Sequence, residues 1–287
     1  MVPATHLALD EVNVQAFLPC HDHDGTVTPM KSPYPHLLLA TLLCCGGSSP
    51  AGTPRVGASP AVALPATVPT NSCWTGYLAG RIPVLVHYQR DGEVLMGEIT
   101  YLNTRNKTPI RLRGTIEADQ TYHLLEFDKE GTITGIIVGR PAGQAFTGRW
   151  YSPTTDRELV LKLVKKEVRV ASVPIRANEG RLAGSYAYRY GAAGRQGTFT
   201  LTRLAAGKAS FELVAVTAAP ARNIADVPLD TISLTGTTFT YALPDAPSCA
   251  FQVRFYHDFM VVRYTKGDCS GQFGHNATAE GVYLKSE

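Results

Sequence analysis

Apolar and polar residues alternate with a period of two through the greater part of this chain, and no segment there repeats at the spacing of an amphipathic helix. The runs 81–89 and 93–102 flank Asp91-Gly92, a dipeptide suited to a tight hairpin turn. Further runs cover 110–116, 122–127, 132–138, 145–150 and 159–164. Glu117-Ala118-Asp119-Gln120 and Asp128-Lys129-Glu130-Gly131 supply turn chemistry between them. Seven short strands with short connections predict an antiparallel meander that curls on itself.

A second set of eight runs covers 182–190, 197–204, 209–216, 231–235, 238–243, 249–256, 259–264 and 277–284. Phe199 and Leu201 share one face of their run, with Thr198, Thr200 and Thr202 opposite. Phe251, Val253 and Phe255 do the same against Gln252 and Arg254. The pattern predicts an all-β protein with two tandem antiparallel β-barrel or sandwich domains, over 73–167 and 177–287. One face of each sheet is expected in a core and the other in water. The segment 168–176, with Pro174, reads as the join. Closure of eight strands on themselves would leave no free edge. Gly148-Arg149-Trp150, Gly184-Ser185-Tyr186 and Gly281-Val282-Tyr283 repeat a Gly-x-aromatic pattern, which reads as a packing device.

Ahead of the strands the pattern changes. Lys31 precedes an apolar run, Leu37-Leu38-Leu39-Ala40-Thr41-Leu42-Leu43, which ends at Cys44-Cys45-Gly46-Gly47. Spanning a bilayer takes roughly 20 apolar residues, so this shorter run matches the core of a secretory signal instead. Leu42, three positions ahead, and the small Cys44, just ahead, mark Cys45 as the lipid-attachment residue; Cys44 itself, behind Thr41 and Leu43, fits less well. The expected organisation is a non-native or disordered extension over 1–29, a lipoprotein signal segment over 30–45 and a disordered linker over 46–72. Such a chain belongs in a bacterial cell envelope, held to a membrane by an N-terminal lipid.

Charge and cysteines refine this picture. Cleavage at Cys45 would raise the formal charge from +3 to about +6, scattered along the chain. The one adjacent lysine pair, Lys165-Lys166, reads as a solvated strand end, so no nucleic-acid partner is expected. Cys249 and Cys269 are the natural disulfide pair in an oxidising compartment, with Cys73 left over.

Several residues carry a second unit that resembles the small C-terminal β-domains of bacterial envelope lipoproteins, including those grouped with lysozyme inhibitors. They are Gly184-Ser185-Tyr186, Cys249-Ala250-Phe251, and Asp268-Cys269-Ser270-Gly271-Gln272-Phe273-Gly274-His275-Asn276 continuing to Gly281-Val282-Tyr283. The first unit, through Pro109-Ile110, Gly114, Leu125-Glu126-Phe127-Asp128, Thr134-Gly135 and Thr147-Gly148-Arg149-Trp150, is similar to a domain common in uncharacterised bacterial lipoproteins. The resemblance implies a non-catalytic protein that presents its β-domains to a protein or glycan partner, a lysozyme being one such partner. The basic mature charge departs from it, because an inhibitor of cationic lysozymes needs an acidic contact face.

Candidate chemistry is sparse. Glu126 and Asp128 lie two apart on one strand, at a spacing of about 7 Å that a carboxylate pair for glycoside hydrolysis could use. The turn that begins at Asp128 favours an ordinary exposed strand end, so no catalytic residue is assigned. His87, His123, His257 and His275 are dispersed, and His257-Asp258 reads as a hairpin tip. The cluster His21-Asp22-His23-Asp24 is too local to preorganise a metal site, so neither a metal nor a cofactor is expected. A barrel that binds small molecules would need an apolar cavity of a few hundred Å³, and an enzyme would need converging carboxylates with shifted pKa values.

Overall fold

Short β-branched and aromatic runs punctuated by glycine-bearing turns become strands throughout the computed structural model, which describes residues 70–167, 174–266, 269 and 271–286. The first eight strands are β1 (Thr70–Leu78), β2 (Ile82–Asp91), β3 (Val94–Tyr101), β4 (Ile110–Ile116), β5 (Tyr122–Phe127), β6 (Ile133–Ala142), β7 (Ala145–Ser152) and β8 (Arg157–Lys165). Each pairs antiparallel with the next, and β8 returns to β1 to close a barrel. Gly92 takes a left-handed φ of +62° in the hairpin expected at Asp91-Gly92, as does Gly131 (φ +80°) in the turn after Asp128.

β1 lies outside the seven expected runs, and its first three residues fall in the stretch read as linker. Its inward positions are Ser72, Trp74, Gly76 and Leu78, so a small residue and a glycine interrupt the apolar signal. Gly76 is there because the neighbouring strand presses on it: a Cβ at that position would meet the Lys162 carbonyl oxygen at 2.1 Å. The same holds around the ring. A Cβ on Gly97 would lie 2.0 Å from the His87 carbonyl oxygen, and one on Gly114 2.0 Å from that of His123. Inward glycines therefore let adjacent backbones close up, which a strongly coiled small barrel requires.

The second sheet comprises β9 (Gly184–Arg189), β10 (Gln196–Arg203), β11 (Lys208–Val216), β12 (Ile224–Ser233), β13 (Thr238–Leu243), β14 (Ala246–Phe255), β15 (Phe259–Lys266) and β16 (Gly281–Lys285). Its order is β12-β11-β10-β9-β16-β15-β14-β13, so the strands carrying two of the Gly-x-aromatic repeats, β9 and β16, pair at the centre. The sheet curls like a barrel, but β12 and β13 share no backbone ladder. Full closure was expected; instead, the Tyr241 hydroxyl donates to Asp230 Oδ2 at 2.7 Å across the seam. The interior is aromatic, with Tyr186, Phe199, Phe211, Phe239, Phe251 and Phe255 in mutual edge, tilted or stacked contact.

Both sheets belong to one compact unit, and a single apolar cluster crosses between them. Val94, Met96, Leu125 and Phe127 on the outer face of the first barrel join Phe259, Val261, Val282 and Leu284 of the second sheet. The expectation of one wet face per sheet therefore fails here. β3, β5 and β15 are buried on both faces, which explains the unbroken runs Val94-Leu95-Met96 and Phe259-Met260-Val261-Val262.

At the centre of this junction stands Arg113 of β4, 7 % exposed. Its Nε donates to Asp258 Oδ1 at 2.9 Å and its Nη2 to Asp258 Oδ2 at 2.5 Å. Nη1 donates to the carbonyl oxygens of Leu112 at 2.8 Å and Gly97 at 3.1 Å, and the guanidinium lies 5.5 Å from the centre of the Phe259 ring. Asp258 sits at the β14–β15 hairpin tip, as expected, and the next-door His257 amide donates to Ile175 of the join. Arg263 adds contacts to Glu93 (3.1 Å) and Glu117 (3.5 Å) at the solvent-exposed rim.

Asp258→Ala would strand the buried Arg113 guanidinium, and should lower the unfolding free energy by about 3 kcal/mol. In a urea titration, the Arg113→Ala/Asp258→Ala double variant should cost less than the two single changes together. Additive costs would show that the fork does not couple the sheets.

Candidate functional site

Inward residues of β5 alternate as Tyr122, Leu124 and Glu126, so the period that builds the barrel core delivers a carboxylate into it. Glu126 is 2 % exposed. It lies toward the end of the barrel served by the β3–β4 and β7–β8 connections, between Tyr101 of β3 and Trp150 of β7. The Tyr101 hydroxyl donates to Oε1 at 2.9 Å and the Trp150 indole N–H donates to the same oxygen at 2.7 Å. Opposite it, Gly135 leaves the space this arrangement occupies. A Cβ there would lie 2.3 Å from Trp150 Nε1 and 2.5 Å from Glu126 Oε2.

Burial pushes the Glu126 carboxyl up to about 7, against the two donated hydrogen bonds, which favour the charged form. Burial likewise raises the Tyr101 phenol, reinforced by the neighbouring carboxylate. Near neutral pH this site can therefore hold or release one proton inside an otherwise apolar barrel. The Gly-x-aromatic segment at Gly148-Arg149-Trp150 contributes more than packing here, since its tryptophan carries one of the two donors.

Asp128, paired with Glu126 in the sequence reading, does something else. Its Oδ1 accepts from the amides of Glu130 (3.0 Å) and Thr132 (2.7 Å), which closes the turn. The two carboxylates are thus engaged separately, Asp128 by the turn amides and Glu126 by Tyr101 and Trp150 inside the barrel. Among the described residues, no group of three or more His, Cys, Asp or Glu side chains is placed to hold a metal ion. Beyond Glu126 the barrel interior is filled: Trp74, Tyr88, Leu124, Phe146 and Leu163 leave no room among them for a water molecule.

Cys249 and Cys269 are bonded, with Cα atoms 4.8 Å apart. The bridge ties the start of β14 to the connection that follows β15, and it packs against Leu243, Tyr264 and Phe273. Cys73 is buried and unbridged on β1, where burial raises its thiol. Cys45, the extension 1–29, the signal segment 30–45 and the linker as far as residue 69 lie outside the described residues. No protein-family model matches the chain, and no curated protein is significantly similar to it.

Reduction of the Cys249–Cys269 bridge, which closes a loop of 20 residues, should destabilise the fold by about 3 kcal/mol in the chain-entropy description. A melting temperature unchanged by reductant would reject that contribution. The Glu126 carboxyl has a folded pKa above its ordinary value of 4.5, so the native state binds this proton more tightly than the unfolded chain. Its contribution is fully present below about pH 4.5 and is lost as pH rises to about 7, at a cost of about 3 kcal/mol. Glu126→Gln should therefore gain stability relative to the parent between about pH 5 and about pH 8. A parent and variant whose urea midpoints run parallel with pH would disprove it.

Proposed function

We propose that this chain is a lipid-anchored, non-catalytic protein of the bacterial cell envelope, which presents its two β-sheets to a protein or glycan partner. The observation that carries the reading is the way the sheets are locked together. Arg113, Asp258 and the shared apolar cluster make the pair one rigid display surface rather than two modules on a string. The Cys249–Cys269 bridge supports an oxidising location, where such bonds persist.

The filled interior of the first barrel supports recognition on outer surfaces and loops in preference to a ligand enclosed in a cavity. Anchoring rests on the sequence around Cys45: a short apolar run, Leu42 three positions ahead and glycines behind. A lysozyme remains one partner that the resemblance of the second unit proposes, and the mature charge of about +6 favours an acidic surface over a cationic one.

In cells, Cys45→Ala should move the protein from the detergent-extracted membrane fraction to the soluble envelope fraction after a high-salt wash. Retention of the Cys45→Ala chain in salt-washed membranes would reject the lipid anchor.

A further inference from the structure

Three exposed apolar side chains gather on one outer face of the first barrel. Tyr77 of β1 is 51 % exposed, and Val160 and Val164 of β8 are 51 % and 58 % exposed. The register sets Tyr77 opposite Lys162 and Thr75 opposite Val164, so Val160, Lys162 and Val164 project on the same side as Tyr77. Half-buried Pro83 and Leu85, opposite Tyr77 and Thr75 on β2, continue the apolar surface. Exposed bases surround and interrupt it: Lys162 within it, Lys166 just after β8, and Arg81 beyond β1. At the β7 margin, Arg149 pairs with Glu158.

The position of this face is as informative as its composition. In a closed ring of eight strands, β8 and β1 stand opposite β4 and β5, which carry Arg113, Leu125 and Phe127 against the second sheet. The face therefore looks away from the second sheet. It also includes the first strand of the barrel, whose first residue, Thr70, follows Cys45 by 25 positions.

We propose that the outer face of β8 and β1, with Tyr77, Val160 and Val164 among Lys162 and Lys166, docks on an anionic lipid surface and points the second sheet away from the bilayer. Lysine stems can lie along apolar surface while their ammonium groups reach headgroup phosphates, and tyrosine favours the membrane–water boundary. A second copy of the chain is the poorer occupant, since a two-fold contact through this face would bring like-charged lysines together. Alone, so small a patch binds weakly and gives way to salt. An anchor at Cys45 makes the contact intramolecular and raises the effective lipid concentration. Only that amplification rests on the anchor reading; the contact itself belongs to the folded face.

The test uses the full chain carrying Cys44→Ala and Cys45→Ala, which leaves neither candidate thiol to be acylated, with vesicles containing phosphatidylglycerol or phosphatidylcholine alone. The chain should partition onto the phosphatidylglycerol vesicles in low salt and leave them as salt rises. Adding either Lys162→Glu/Lys166→Glu or Val160→Ser/Val164→Ser should weaken partition about tenfold. Leu229→Ser, which alters a residue 70 % exposed on the second sheet, should leave partition unchanged. Unchanged thermal melts would show that each variant folds. Absence of partition, equal loss in the Leu229→Ser control, or a patch-dependent dimer in sedimentation without vesicle binding would each overturn the proposal. A chain that fractionates with cell membranes when acylated, yet ignores vesicles when it is not, would overturn the docking face and leave the anchor standing.

Discussion

The arrangement of this molecule depends on one ion pair whose arginine is buried. Arg113 lies on the outer wall of a barrel, where an unpaired guanidinium would make contact with another sheet prohibitively costly. Asp258 at a hairpin tip meets it with both oxygens, and the carbonyls of Leu112 and Gly97 accept from Nη1. Such a fork gains little net free energy over apolar packing, but it permits one docking geometry and penalises others. The Phe259 ring, Leu125 and Phe127 around it then gain from exclusion of water only in that geometry.

A second constraint acts inside the first barrel. Inward glycines at positions 76, 97, 114, 135, 139 and 148 bring strand backbones close, and the remaining large side chains fill the space that results. Glu126 is tolerated among them because Tyr101 and Trp150 satisfy one oxygen and Gly135 makes room for the other. Its raised pKa follows from that location: the barrel removes water faster than two neutral donors replace it.

Most of the strand order was legible in the sequence because alternation survives wherever one face is wet. β1 was not, since Gly76 and Ser72 occupy positions where a side chain would have advertised an inward face. The run 231–235 marks only the end of β12. Its inward residues are the small Ala225 and Val227, and Pro228 argues against a central strand, though an edge strand accepts it. The junction left a trace in the continuous apolar runs of β3 and β15, but Arg113 and Asp258 lie 145 residues apart and nothing local pairs them. Glu126 had a signal of its own, a carboxylate at the third inward position after Tyr122 and Leu124. The turn at Asp128 obscured it, because the same few residues end the strand.

The seam of the second sheet sets where that sheet can yield. At β9 and β16 each strand is held by main-chain bonds on both sides, so loosening either requires breaking two rows together. β12 and β13 each have a neighbour on one side only, and a phenol on a carboxylate joins them. The curled sheet thus works as a bracelet with a clasp: Tyr241 and Asp230 can part while the rest of the band keeps its form.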